Sequence, residues 1–140
     1  MSMQRVGDDT AGFAIDFPDE GSVAVVAWGF WTVDVAAAFS RTVVDACLSK
    51  PRGAAVSLDM SDVKPMRDEG QAAFTRLLRS LPAAAFPRIS IITRNPLTKL
   101  QLVRLVTEAG AGTRVDWVTA AKGQARHSSG RWTIPPGGEP

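Results

Sequence analysis

Three times between residues 22 and 109 the chain passes from a short, nearly unbroken apolar run into a stretch of helical period, and this alternation restricts its fold more than any other feature. SVAVVAWGF at 22–30 precedes a segment in which Val35, Ala38, Phe39, Thr42, Val43 and Ala46 recur at helical spacing. AAVSLDM at 54–60 precedes QAAFTRLLRSL, which sets Ala73, Phe74, Leu77, Leu78 and Leu81 on one face. RISIITR at 88–94 precedes a helix predicted from Pro96 to Ala109, with Leu97, Leu100, Leu102, Val103, Leu105, Val106 and Ala109 as a broad apolar face. The punctuation agrees. Thr32 or Asp34 offers a cap to the first helix and Pro51 with Gly53 ends it, while Asn95 and Pro96 supply a cap and a first-turn proline to the last, which Gly110 and Gly112 stop.

FAIDF at 13–17, the turn PDEG and the run at 22–30 read as an antiparallel hairpin, and TRVDWVTA at 113–120 reads as a closing strand. Strands that alternate with helices are joined by right-handed crossovers. The expected fold is therefore α/β: a four- to five-stranded, mostly parallel sheet with an antiparallel opening strand and helices packed on it. One domain is expected over residues 12–120, after a polar, frayed segment at 1–11 and before a loosely structured tail at 121–140. With 140 residues, 45% of them hydrophobic, there is material for one core.

Composition removes several classes of function. No apolar run approaches the roughly 20 residues that span a bilayer, and the N-terminus lacks the apolar centre of a signal peptide, so a cytoplasmic protein without membrane contact is expected. The single cysteine, Cys47, excludes an intrachain disulfide and a thiolate metal cage. His127, the only histidine, falls in the tail, where nothing predicts a relay to a nucleophile; no metal-ligand spacing, dinucleotide fingerprint or P-loop is present, so no cofactor is expected. Charge is uneven: residues 1–70 hold 11 of the 14 acidic but only 6 of the 16 basic side chains. Such polarity suits a homodimer or a partner of complementary potential. The basic residues neither form a run nor interleave with aromatics, so nucleic acid is not an expected partner.

Chemistry concentrates in one turn. DVKPMRDEGQ at 62–71 brings Lys64, Met66, Arg67, Asp68, Glu69 and Gly70 together between a strand and a helix, the position where α/β sheets place their sites. Asp59, Asp62, Asp68 and Glu69 would crowd there, enough for an acid/base pair. The structural alternative is that acids in a first helical turn cap free N–H groups and favour the helix dipole. A second cluster, Trp28, Phe30 and Trp31 around Gly29, reads either as the lining of an apolar ligand pocket or as a core plug.

Three segments in this order resemble a STAS domain, the module of sulfate transporters and anti-sigma factor antagonists. They are AVVAWGFWTVDVAAAF, SLDMSDVKPMRDEGQAAFTRLL and RISIITRNPLTKLQLVRLVTEAG, and the likeness spans roughly residues 12–120. The resemblance implies a non-catalytic protein-interaction module with a protein partner, anti-sigma factor-like or another regulator, that binds residues 64–70. In such antagonists the second serine of Asp-Ser-Ser-Gly is phosphorylated. Aligning Gly70 with the motif glycine puts Glu69 at that serine, Asp68 at the one before it and Arg67 at the motif Asp. Glutamate cannot accept phosphate, so the resemblance implies a module without the serine phosphoswitch. A likeness to lipid-binding CRAL-TRIO-like relatives would instead give the tryptophan cluster a ligand.

Overall fold

The computed structural model describes residues 3–120. The elements are β1 (Met3–Gly7), β2 (Ala11–Asp16), β3 (Ser22–Gly29), α1 (Val33–Leu48), β4 (Ala55–Val63), α2 (Asp68–Arg79), β5 (Ile89–Thr93), α3 (Pro96–Glu108) and β6 (Val115–Thr119), with a 3-10 turn at Gly112–Arg114. The six strands lie side by side in chain order. β1, β2 and β3 form two antiparallel hairpins, and β3 through β6 run parallel. The α/β class and the mostly parallel sheet are as the sequence indicates.

The N-terminus is the first correction. Residues 3–7 are not frayed; they form an edge strand that pairs Gln4 with Ile15 and Val6 with Phe13, which makes the sheet one strand wider than expected. Its composition hides it, because an edge strand buries little and can stay polar. The turn that follows is stitched by Asp8, whose carboxylate accepts from Thr10 Oγ1 and N and from Ala11 N. Those bonds, the Thr10 hydroxyl first among them, hold the Asp8 carboxyl below its ordinary value. The tail at 121–140, with His127, lies outside the described residues.

Each of the three crossovers steps one strand in the same direction, so right-handedness places all three helices on one face of the sheet. That face holds the core, where Phe39 of α1, Phe74 and Leu77 of α2 and Leu102 of α3 pack on Ile15, Val25, Leu58 and Ile91. Phe39 is its hinge: it meets Phe13 edge-on at 5.5 Å, Trp31 at 4.5 Å and Phe74 in a stacked pair at 6.5 Å. The apolar run of β3 is buried on both sides, with Val23, Val25 and Ala27 under the helices and Val26 and Trp28 in a separate cluster with Ala14.

The helices follow their patterns unequally. In α2 all the predicted face residues, Ala73, Phe74, Leu77, Leu78 and the following Leu81, are buried. In α1 the buried edge is turned toward Ala36, Phe39, Val43 and Cys47, leaving Val35 and Ala38 half-buried. In α3 only Leu102, Leu105 and Val106 of the broad apolar face are buried, and Leu97, Leu100 and Val103 are exposed. At 3.6 residues per turn those apolar positions spread around most of the helix, more than one sheet can cover. Among the described residues no helix is long and apolar enough to cross a membrane.

Candidate functional site

The turn between β4 and α2 lies where the parallel strands end and the helices begin. β4 continues through Val63, further than the expected 54–60, and this disperses the carboxylates. Asp59 is buried and accepts from Ser61 N and Oγ. Asp62 pairs with Arg94 at 3.3 Å. Asp68 and Glu69 are exposed in the first turn of α2. The four acids therefore do not surround one point, and an acid/base pair is not assembled from them. Strand alternation is the reason, since it separates neighbouring side chains to opposite faces.

The short segment from Lys64 to Arg67 is fixed by its backbone. Lys64 N donates to Gly29 O at 3.0 Å, and Thr98 Oγ1 donates to Val63 O at 2.9 Å. Gln101 of α3 clamps Met66 from both sides of its peptide: Met66 N donates to Gln101 Oε1 at 2.7 Å, and Gln101 Nε2 donates to Met66 O at 3.0 Å. Gln71 Nε2 adds a bond to the same carbonyl at 2.9 Å. Met66 itself turns inward at 4% exposure, against Gly70, where an added Cβ would lie 3.0 Å from the methionine Cβ. Gly70 is thus favoured by close approach to the Met66 side chain and not by its backbone φ, which is ordinary.

Of the six residues singled out in this turn, Lys64, Arg67, Asp68 and Glu69 face solvent, while Met66 and Gly70 form their support. No side chain caps α2. Its N-cap is Arg67, without a side-chain bond, so Asp68 and Glu69 act through the dipole and not as caps. The Arg67 guanidinium instead lies over the Phe30 ring at 5.1 Å. Phe30 is 43% exposed and beside it Val33 opens α1; across the turn, Leu97 and Leu100 are 62% and 67% exposed. Asn95 caps α3 through Leu97 N and Thr98 N, as its sequence indicates. The result is a charged turn whose backbone is tied to the end of β3 and to α3, with Phe30, Leu97 and Leu100 exposed on the neighbouring elements.

Leu97, Leu100 and the clamp residue Gln101 were not legible as site residues. The only hints were an apolar stripe too wide to bury and a single amide within it. The tryptophan cluster is a further correction: Trp28 lies in the small cluster with Ala14 and Val26, Trp31 lies in the helix-side core, and Phe30 lies on the surface. These three side chains thus occupy three different environments. Trp28 is held there by a bond from its Nε1 to Asp8 O at 2.7 Å and by Arg5 stacked 4.9 Å from the ring.

Comparison with solved structures agrees with this geometry: the chain has a STAS-like fold, the fold of anti-sigma factor antagonists. An anti-sigma factor antagonist from Mycobacterium paratuberculosis superposes with a TM-score of 0.54 at 15% identity, over 84% of this chain and 86% of that one. The unphosphorylated anti-sigma factor antagonist SpoIIAA gives 0.56 at 14% identity, over 79% and 89%. Apo-SiaC from Pseudomonas aeruginosa gives 0.55 at 14% identity, over 86% and 100%. No family model and no curated protein sequence matches the chain.

Proposed function

We propose that the chain is a regulatory protein-interaction module of STAS-like fold, which binds a protein partner through the exposed residues of the 64–69 turn and lacks a serine phosphoswitch. The observation that carries this reading is the turn itself: four charged side chains presented to solvent on a backbone that Gln101, Thr98 and Gly29 hold in place. Preorganised turns bind at lower entropic cost than mobile ones. Glu69 stands where the STAS resemblance places the phosphoacceptor, and it carries one permanent charge where a phosphoserine would carry about −1.5 to −2. Ser61, the nearest hydroxyl before it, is buried on Asp59 and offers no substitute. The similarity to anti-sigma factor antagonists supports a partner of the anti-sigma factor kind, in the cytoplasm. The dispersed carboxylates and separated aromatics favour neither an enzyme nor a lipid carrier.

Two variants test it. Glu69→Ser should keep the fold and cost at most about 1 kcal/mol of helix-start stabilisation. Arg67→Glu should weaken capture of the partner while leaving the circular dichroism spectrum unchanged. Loss of folding in both, without selective loss of binding, would reduce the turn to a structural element.

A further inference from the structure

Directly below the turn, the cleft between α2 and α3 opens into a groove of about 510 Å³, lined among others by Gln71, Thr75, Arg76, Arg79, Arg104 and Glu108. Three guanidinium groups meet one carboxylate there. Glu108 is occupied by Arg104 at 3.0 Å, and Arg104 also reaches across the groove to Gln71 Oε1. Arg79 makes one long bond, 3.4 Å, to the Glu108 carbonyl. The Arg76 side chain is exposed and makes no hydrogen bond or ion pair among the described residues. The groove therefore keeps an excess of positive charge with donors to spare.

A basic residue in the last turn of a helix ordinarily complements the helix dipole, and Arg76 and Arg79 do so in α2. That accounts for one end of one helix. It does not account for Arg104, which reaches the same groove from the middle of α3. The lining runs along α2 from Gln71 to Arg79, about 12 Å at 1.5 Å per residue. This length fits an extended or helical stretch of polypeptide better than a single compact anion, and planar guanidinium forks suit carboxylates. The groove also begins at Gln71, immediately after the exposed turn.

We propose that the α2–α3 groove seats an acidic segment of the protein partner, its carboxylates held by Arg76 and Arg79. The inference rests on reading the chain as an interaction module and gives that partner its chemistry. A capped oligoglutamate peptide is the probe, titrated into the uniformly ¹⁵N-labelled full chain with an oligolysine peptide as control. Amide shifts should concentrate between Gln71 and Ser80 and around Arg104 to Glu108, and should weaken as salt rises from about 50 to about 200 mM. Arg76→Glu with Arg79→Glu should bind the peptide about ten-fold more weakly or not at all. Arg76→Gln with Arg79→Gln, which adds no repulsion, should lie between. Shifts scattered over distant basic residues such as Lys50, Arg52 and Arg88, or equal affinity in the glutamate variant, would overturn the proposal. Partner capture separates the two readings: a partner lost with Arg67→Glu but kept by the groove variant removes the groove and leaves the module standing, whereas loss in both supports the groove.

Discussion

Gly29 shows how much one residue settles at this site. Its φ is +85°, and a Cβ placed there would lie 1.9 Å from Thr10 O, while its own carbonyl receives Lys64 N. One backbone thus joins the β1–β2 turn, the end of β3 and the start of the β4–α2 turn. Gly29→Ala should destabilise the fold by about 2 kcal/mol or more, through left-handed strain and the clash together; urea unfolding is the check, and an unchanged midpoint would contradict the contact. Cys47 is informative in another way. Burial pushes its thiol up to about 12 from an ordinary value of 9.0. The folded protein should therefore resist a thiol reagent at neutral pH and react only when unfolded. Because the folded value is the raised one, the Cys47 contribution to stability is intact below about pH 9 and falls away as pH climbs from there toward 12. Rapid labelling of the native protein would show that α1 opens far more easily than its packing implies.

At the scale of elements, α2 and α3 divide the work. α2 is the amphipathic element that its sequence announces, and its buried face locks to α1 through the stacked Phe39 and Phe74. α3 buries fewer of its apolar side chains and uses Gln101 to hold the β4–α2 connection. Gln101→Leu leaves Met66 N without that partner, and an orphaned, part-buried amide costs about 1 to 3 kcal/mol. The variant should unfold earlier in urea and should broaden the amide resonances of residues 64–67. If it were as stable as the parent, with those resonances unmoved, the clamp would be ornamental. The helices and their caps at Thr32 and Asn95 were legible because capping and periodicity are local properties. Which side of α3 would be buried was not, since that depends on how wide a face the sheet leaves for it.

For the whole molecule, the β1 strand closes the antiparallel end of the sheet and carries Arg5 over Trp28. Removal of residues 1–7 should bare the β2 edge, lower the urea midpoint and promote association through that edge. Sedimentation over a range of concentrations is the measurement, and a monomer of unaltered stability would show β1 to be dispensable. The same scale decides charge. Within the base-rich second half of the chain, α2 and α3 bring Arg76, Arg79 and Arg104 to one groove, while Arg94 pairs with Asp62 of the acid-rich first half.

The sequence by itself determined the strand and helix order from residue 13 onward, the parallel sheet and the turn at 62–71, all of which follow from period, punctuation and right-handed connection. Only the tertiary structure decided that residues 3–7 are a strand, that Asp59, Asp62, Asp68 and Glu69 go separate ways, and that Trp28 and Trp31 belong to different clusters. Those outcomes rest on which residues meet across strands and helices distant in the chain. Strand alternation and hydrogen-bond pairing between remote segments fix them, and neither is encoded in any window of neighbouring residues.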